Sequence, residues 1–201
     1  MSFELTLEEM NQVFDTLRQR YRIYAPKRLK NAGRYCNTDL IRYQEIRSME
    51  EIEWKDRSDY SPKEVFYPIN QTLFHFTEHY FLESQVFEKD LLIFARSCDI
   101  NGIKRLDKVF LENGPHEDPY YKRMRKKVHF ILMECPDNGW ESCACCSMGT
   151  NETEDYDLAV RPLHEEGRVQ VFCKSELFTS FFDSFAPTQY TPEFVKENKT
   201  V

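Results

Sequence analysis

Glycine is scarce in this sequence, and the glycine-rich loops that cradle nucleotide phosphates are missing. Only six of the 201 residues are glycine. None of them follows the GxGxxG or P-loop spacing that places backbone N–H groups around a phosphate. We therefore expect any nucleotide binding linked to this protein to belong to a partner.

Long apolar runs are missing too. No run approaches the ~20 residues that a membrane-spanning helix requires. The acidic N-terminal residues 1–5 lack both the charged and the apolar region of a secretory signal. These features predict a cytoplasmic protein without a membrane span, in a compartment where thiols stay reduced.

An excess of positive charge is the third absence. The chain has 34 acidic and 27 basic residues and a net charge of −7, which disfavours a nucleic-acid partner. We interpret the one basic run, residues 122–127, as the solvated face of a helix rather than a docking patch. An apolar content of 41% and an aromatic content of 14% indicate one globular domain with a full core.

Cysteine, in contrast, is abundant and clustered. Three of the seven cysteines, Cys143, Cys145 and Cys146, lie within four positions of one another. Cys98 and Cys135 each follow a strongly apolar run. In a reducing compartment such cysteines are typical of metal ligands or reactive thiols rather than of a disulfide framework.

The two apolar runs that precede Cys98 and Cys135 predict neighbouring parallel strands. Residues 91–95 and 128–133 have the length and composition of buried strands. Two predicted helices lie between them, so the unit is a crossover connection. Both cysteines should then lie at the carboxyl edge of one sheet, where open sheets bind their ligands.

The remaining pattern completes a prediction of the α/β class. Helices are predicted over 6–20 (opened by a capping box of Thr6 and Glu9), from the residue after Cys98 to Asn113-Gly114, over 119–127 and over 175–185. Strands are predicted over 21–26 (ending at Pro26), 39–46, 157–163 and 168–173, with a hairpin at 72–76 and 80–82 and an extended segment at 61–70. We predict a single domain, residues 1–185, with a mixed sheet flanked by helices. The cysteine site should lie at the carboxyl ends of its parallel strands. Residues 186–201 are predicted to be a tail or linker without a packed element.

Four thiols are candidate ligands: Cys98, Cys135, Cys143 and Cys145. A cubane iron–sulfur cluster needs four ligands, which widely separated cysteines can supply when strand ends converge. Zinc also accepts four sulfurs, but structural zinc sites commonly use paired C-x(2–4)-C knuckles, which one C-x-C pair and two single cysteines match poorly. Cys98 before a helix adds the positive end of the helix dipole, and Gly149 should let the loop wrap closely around its ligand.

Three other cysteines are predicted not to be ligands. If the loop is locally extended, Cys143 and Cys145 point one way and Cys146 the other, which leaves Cys146 a free thiol. Cys36 and Cys173 are interpreted as packing residues. An alternative, a thiol enzyme with Cys145 or Cys146 as nucleophile, needs a base, and the nearest histidine in sequence, His164, has no motif around it.

The sequence also resembles a known family. Residues 61–74, the stretch Ala95-Arg96-Ser97-Cys98-Asp99-Ile100-Asn101 with residues 104–107, and residues 143–151 are similar to the A subunit of anaerobic sulfite reductase. They are similar more loosely to β subunits of sulfhydrogenases. The resemblance covers nearly the whole chain, including residues 190–198.

The resemblance implies a non-catalytic electron-transfer subunit with a 4Fe-4S cluster, inactive on its own. Its partners would be a flavin-containing subunit that oxidises NADH and a sirohaem-containing subunit that reduces sulfite. Family members continue into a ferredoxin-like region with two further cubane clusters, so residues 186–201 would lead toward that region. The cluster would be lost easily in aerobic preparations. The rival hypothesis is a zinc-stabilised interaction domain without a redox role.

Overall fold

A large mixed β-sheet forms the centre of the fold. The computed structural model describes residues 1–68, 70–84, 88–136, 139–163 and 166–199. The strands in these residues are β1 (Ser2–Thr6), β2 (Tyr21–Leu29), β3 (Leu40–Glu45), β4 (Phe74–Thr77), β5 (Tyr80–Glu83), β6 (Asp90–Ala95), β7 (Val128–Met133), β8 (Leu158–Leu163), β9 (Arg168–Cys173) and β10 (Pro187–Thr188). One eight-stranded sheet has the order β10-β1-β9-β8-β7-β6-β2-β3, and β4 pairs with β5 separately.

Helices cover both faces of this sheet. The α-helices are α1 (Leu7–Leu17), α2 (Ser97–Asp107), α3 (Pro119–Arg125) and α4 (Glu176–Thr179), and a π-helical turn, Lys108–Glu112, extends α2. One core lies between the sheet, α1 and the aromatic residues of α4 and the turns after it. A second core lies on the other face, under α2 and α3. The predicted fold class, an α/β domain with a mixed sheet flanked by helices, is confirmed.

The centre of the sheet is parallel, and this places two cysteines at one edge. β2, β6, β7 and β8 are parallel neighbours, with Leu91 of β6 opposite Val128 of β7. Every residue of β6 after Asp90 is buried, because helices cover both faces of the strand. The predicted crossover unit is therefore confirmed, and the chain reaches Cys98 and Cys135 as it leaves the carboxyl ends of adjacent strands.

The capping box at the start of α1 is confirmed. The Thr6 hydroxyl accepts a hydrogen bond from the Glu9 N–H at 3.2 Å, and the Glu9 carboxylate accepts one from the Thr6 N–H at 2.7 Å. Met10, Val13, Phe14 and Leu17 are buried on one side of the helix. The predicted helix over 6–20 is three residues too long, since it ends at Leu17.

The prediction that the strand over 21–26 stops at Pro26 is wrong. β2 continues to Leu29 and pairs with β3 as far as Leu40. The parallel pairing with β6 ends at Tyr24, and the Pro26 carbonyl accepts a hydrogen bond from the Glu53 N–H at 2.7 Å. The Pro26 nitrogen thus faces a loop, beyond the end of the pairing with β6. Its missing N–H therefore removes no hydrogen bond between strands.

Two other predicted segments differ in part. Residues 61–70 include a 3-10 turn, Pro62–Val65, capped by Ser61, instead of an extended run, and Ile69 lies outside the described residues. The helix predicted over 175–185 shortens to α4. Successive turns follow α4, each closed by a hydrogen bond from an N–H to the carbonyl three residues earlier. The rings of Phe178, in α4, and of Phe182, in these turns, are buried.

The expectation that residues 186–201 carry no packed element is wrong for the described residues up to 199. β10 pairs with β1 at the edge of the sheet. Tyr190, Pro192 and Val195 are buried against the body of the domain. Apolar side chains at these positions anchor a segment whose local composition looks like a linker. The division of the chain into a domain and a linker stays a prediction.

The hairpin β4–β5 stands apart from the sheet. Its strands are in the predicted place, and all eight of their residues are exposed. Phe76 and Phe81 are 80% and 64% exposed, so the hairpin presents aromatic rings to solvent. Within the described ranges, no helix combines the length and the apolar character needed to cross a membrane.

Candidate functional site

A cavity of about 380 Å³ lies at the carboxyl end of β6, and three of the four predicted ligand residues line it. Cys98 comes from the start of α2, whereas Cys143 and Cys145 come from the loop between β7 and β8. The segment 56–61 forms the facing wall. The sheet edge and two loops thus bring together cysteines that are more than 40 positions apart in sequence.

Cys98 lies in the first turn of α2. The helix begins at Ser97, and the first hydrogen bond of its ladder runs from the Ile100 N–H to the Arg96 carbonyl at 3.0 Å. The N–H groups at the start of a helix have no partner within the helix. Cys98 therefore stands where the helix dipole favours negative charge, as predicted, although it lies within the helix and not before it.

The protonated form of the Cys98 thiol is strongly favoured in the metal-free protein. Its pKa is raised to about 12, chiefly by burial among protein atoms and to a smaller extent by Asp99 and the thiols of Cys135, Cys145 and Cys143. Solvent reaches Cys98 through the cavity mouth, while protein surrounds the sulfur on its other sides. All three other predicted ligand residues are thus close enough to act on Cys98 electrostatically.

Cys135 lies behind this cavity, beside a buried cation. Its thiol lines a neighbouring cavity of about 420 Å³ that also contacts Trp54 and Trp140. Burial raises the pKa of Cys135, whereas the charge of Arg96 and a hydrogen bond from it oppose that rise. Cys145 and Cys143 also raise the pKa of Cys135. The four predicted ligands therefore flank one region from two adjoining cavities.

Arg96 joins three segments around the thiols. It caps α2, is 6% exposed, and donates hydrogen bonds to the carbonyls of Trp54 (2.8 Å) and Glu134. Its guanidinium lies 4.7 Å from the centre of the Trp140 ring, an attractive cation–π contact. The sequence reasoning missed this role, because a charged residue after a strand usually points to solvent.

The cysteine loop is a tight turn and not an extended segment. The Met148 N–H bonds the Ala144 carbonyl at 3.0 Å and the Thr150 N–H bonds the Cys145 carbonyl at 2.8 Å. Gly149 closes the turn with a φ of +61°, a conformation that side chains disfavour. An added Cβ at Gly149 would meet nothing within 4 Å, so backbone conformation and not close approach requires this glycine.

Asn101 of α2 fixes the end of the loop. Its side-chain amide donates hydrogen bonds to the carbonyls of Thr150 (3.2 Å) and Glu152 (2.7 Å). Thr150 is buried, and its hydroxyl lies 3.4 Å from the Cys145 carbonyl. The helix that carries Cys98 thereby holds the loop that carries Cys143 and Cys145. The sequence reasoning assigned no role to Asn101 or Thr150 beyond their place in a family pattern.

Cys146 faces away from the cavity, toward residues 190–198. Its thiol donates to the Val195 carbonyl at 3.5 Å, and its N–H donates to the Asn198 side chain at 3.1 Å. The predicted direction of Cys146 is confirmed, but the predicted reason is wrong, since the loop is a turn at this point. The turn, not an extended pleat, sets this direction, and the Cys146 thiol still lies close enough to Cys145 for a hydrogen bond between the two thiols, which raises the pKa of Cys146 after the larger effect of burial.

The other predictions for single residues have mixed outcomes. Cys173 is a buried core thiol, as predicted. Cys36 is exposed in a turn, so the interpretation of Cys36 as a packing residue is wrong. His164, the candidate base of the thiol-enzyme alternative, lies outside the described residues. In the basic run, Arg123 pairs with Glu83 at the surface, as suits a solvated helix face, whereas Arg125 pairs with Asp107 in a largely covered position.

The donors suit a soft metal, but they do not yet form a closed coordination site. Thiolates favour zinc and iron–sulfur clusters, and the cation of Arg96 and the start of α2 suit an anionic thiolate centre. Among the residues that the structure describes, no group of three or more Cys, His, Asp or Glu side chains is arranged to hold a metal ion. The ligand assignment therefore stays a prediction.

The fold and the site define an α/β domain with a thiol-lined cavity at the carboxyl edge of its parallel strands. The chain is similar to sulfhydrogenase 2 subunit beta of Pyrococcus furiosus, with 32% identity over 171 residues. The match covers 84% of this chain and 47% of the relative, so the chain spans about half the length of the curated relative it matches. No protein-family model matches the chain, and no solved structure matches it.

Proposed function

We propose that this chain is an iron–sulfur electron-transfer subunit of an oxidoreductase complex. The observation that carries the proposal is the grouping of four thiols around one sheet edge, beside a buried arginine. The similarity to a subunit of a sulfhydrogenase supports it, because such a name describes one component of a multisubunit oxidoreductase.

Cys98, Cys135, Cys143 and Cys145 would hold a 4Fe-4S cluster, which supplies one-electron storage when bound. Arg96 and the free N–H groups at the start of α2 would offset the negative charge of the thiolate centre. Asn101 would hold the loop in place through its two carbonyl contacts. In this proposal each of these residues would bind, orient or neutralise, which suits an electron carrier.

The specific complex that we propose is the NADH-dependent anaerobic sulfite reductase of the cytoplasm. The motifs around Cys98 and Cys143–Cys145 resemble its A subunit. Electrons would then pass from a flavin-containing subunit through this chain to a sirohaem-containing subunit. We further propose residues 1–185 as the cluster domain, with residues 186–201 leading toward a ferredoxin-like dicluster region.

Iron and acid-labile sulfide, measured per chain after anaerobic preparation, test the proposal. We expect about four of each, because a cubane contains equal numbers of both, together with broad visible absorbance that dithionite bleaches. About one zinc per chain and a colourless protein would support the zinc-stabilised interaction domain instead. Neither metal after anaerobic reconstitution would overturn the proposal.

A further inference from the structure

Residues 190–198, which we name the C-terminal strap, connect the two cysteine-bearing parts of the site. At one end the Tyr190 hydroxyl and the Glu193 N–H both donate to one carboxylate oxygen of Glu134, at 2.7 and 3.0 Å. Glu134 directly precedes Cys135. The strap is therefore fixed to the end of β7, where one of the candidate ligands lies.

At its other end the strap holds the cysteine loop. The Val195 carbonyl accepts hydrogen bonds from the Asn151 side chain (2.8 Å) and the Cys146 thiol (3.5 Å). The Asn198 side chain accepts from the Cys146 N–H at 3.1 Å and donates to the Ser147 hydroxyl at 2.6 Å. One amide thus satisfies two groups of the turn that follows Cys145.

The loop depends on such anchors because it belongs to no strand or regular helix. Its internal hydrogen bonds close short turns, such as those from the Cys143 N–H to the Trp140 carbonyl and from the Met148 N–H to the Ala144 carbonyl, and Asn101 holds it from the side of α2. Ordering a loop costs conformational entropy for every residue that is fixed. A ligand set is effective only when outer contacts keep its side chains near the binding geometry.

We propose that the C-terminal strap is a positioning element of the thiol site and that Asn198 is its principal positioning residue. The inference rests on the proposed function, since it assigns to the strap the task of holding Cys143 and Cys145 against Cys98 and Cys135. The strap contacts the loop after Cys145, at Cys146, Ser147 and Asn151, and makes no hydrogen bond to the thiols of Cys143 and Cys145 among the described contacts. Its contacts occupy the face of the loop opposite the cavity.

Cobalt(II) titration of the reduced chain tests this proposal whether the native metal is iron or zinc. Cobalt bound by thiolates shows an intense charge-transfer band, so the spectrum reports both affinity and ligand type. We expect Asn198→Ala to weaken cobalt binding about tenfold, the effect of losing one to two hydrogen bonds. Asn198→Asp should restore most of the affinity, because a carboxylate accepts from both the Cys146 N–H and the Ser147 hydroxyl.

Lys196→Ala is the matched control, since Lys196 is an exposed residue of the same strap. It should bind cobalt as the unchanged chain does. Hydrogen exchange at the Cys146 amide gives a readout of positioning that needs no metal, and it should quicken in Asn198→Ala but not in Lys196→Ala. A general loss of stability would instead quicken exchange throughout the sheet.

The outcomes separate this inference from the proposed function. If the chain binds cobalt and Asn198→Ala binds it equally well, the strap proposal is overturned while the cluster proposal stands. If Asn198→Ala loses binding and Asn198→Asp does not restore it, the strap proposal is also overturned. The carboxylate of that variant can still bond both the Cys146 N–H and the Ser147 hydroxyl. If the chain binds none of iron, zinc and cobalt, both proposals are overturned.

Discussion

At the scale of single residues, the cysteines near the cavity differ in the surroundings that their thiols face. Cys98, Cys143 and Cys145 line one cavity, Cys135 lies behind it, and Cys146 points to the C-terminal strap. The division follows from the turn that begins at Ala144. It assigns different outcomes to substitutions only one residue apart.

The first prediction uses that difference. Cys98→Ser, Cys135→Ser, Cys143→Ser and Cys145→Ser should each lower iron content and visible absorbance sharply, since an alkoxide is a poor substitute for a soft thiolate. Cys146→Ser is the control and should leave both nearly unchanged, because a serine hydroxyl can also donate to the Val195 carbonyl. Iron analysis after anaerobic preparation measures the effect. Bleaching by Cys146→Ser but not by Cys145→Ser would show that the assignment is wrong by one residue.

The second prediction concerns Arg96. Arg96→Met should lower the midpoint potential of the bound centre, because a buried positive charge favours the more negative reduced state. Arg57 lines the same cavity but is exposed, so Arg57→Met should shift the potential much less. Anaerobic redox titration measures both variants. Equal shifts in the two variants would contradict the prediction that the buried charge of Arg96 affects the potential more than the exposed charge of Arg57.

Residue-scale prediction from the sequence succeeded where local context carried the information. Apolar runs located Cys98 and Cys135 at strand ends, and clustering marked Cys143 and Cys145. Arg96 and Asn198 could not be found in this way, since their roles depend on partners about 40 to 50 residues away. A charged or polar residue between regular elements is usually solvated, and only tertiary packing shows the exception.

At the scale of elements, α1 illustrates how local chemistry sets a boundary. Its capping box satisfies two free donors at the helix start, and the carboxylate of Glu9 stabilises that arrangement. Hydrogen bonds from Thr6 lower the pKa of Glu9 in the folded protein. The contribution of Glu9 is thus present above its unfolded pKa and is lost as the pH falls through the lowered value.

The third prediction follows for Thr6. Thr6→Ala should lower the free energy of unfolding by about 1 kcal/mol at neutral pH, the usual cost of losing an N-cap. The cost should shrink in acid as Glu9 becomes protonated. Thr16→Ala on the same helix is the control, since the Thr16 hydroxyl only bonds back to the Gln12 carbonyl. Urea unfolding at neutral and acidic pH measures both variants, and an equal cost for the two would contradict the role of the cap.

Elements with a strong local pattern could be predicted, and those made by distant contacts could not. β6 and β7 were evident because a strand covered on both faces is apolar throughout. The continuation of β2 past Pro26 was not, since it depends on the side of the strand that the proline nitrogen faces. The packing of residues 187–199 escaped prediction because β1, Glu134 and the cysteine loop provide its partners.

At the scale of the whole molecule, the function that we propose for the domain is electron transfer, with sulfite reduction assigned to a partner subunit. Its sequence lacks a nucleotide-binding glycine loop and a recognisable sirohaem motif. The thiol cavity at one sheet edge is the chemical feature that the fold positions.

The fourth prediction is that the purified chain, with its cluster reconstituted, produces no sulfide from sulfite and NADH. The same chain should still be oxidised and reduced by small dyes of suitable potential, because electron storage needs only the thiol site. Sulfide release and dye absorbance are measured side by side. Steady sulfide production by the chain alone would contradict the role of an electron-transfer subunit.

The position of the tryptophans makes the intrinsic fluorescence of the protein a reporter of the thiol site. The chain has two, Trp54 and Trp140, and both line the cavity that contains Cys135. Ultraviolet emission from the folded domain thus originates almost entirely beside the thiol site. A coloured cluster there should absorb that emission and darken the protein, whereas colourless zinc should leave it bright. The loss of a cluster in air could then be followed in real time, without a label, as a rise in fluorescence.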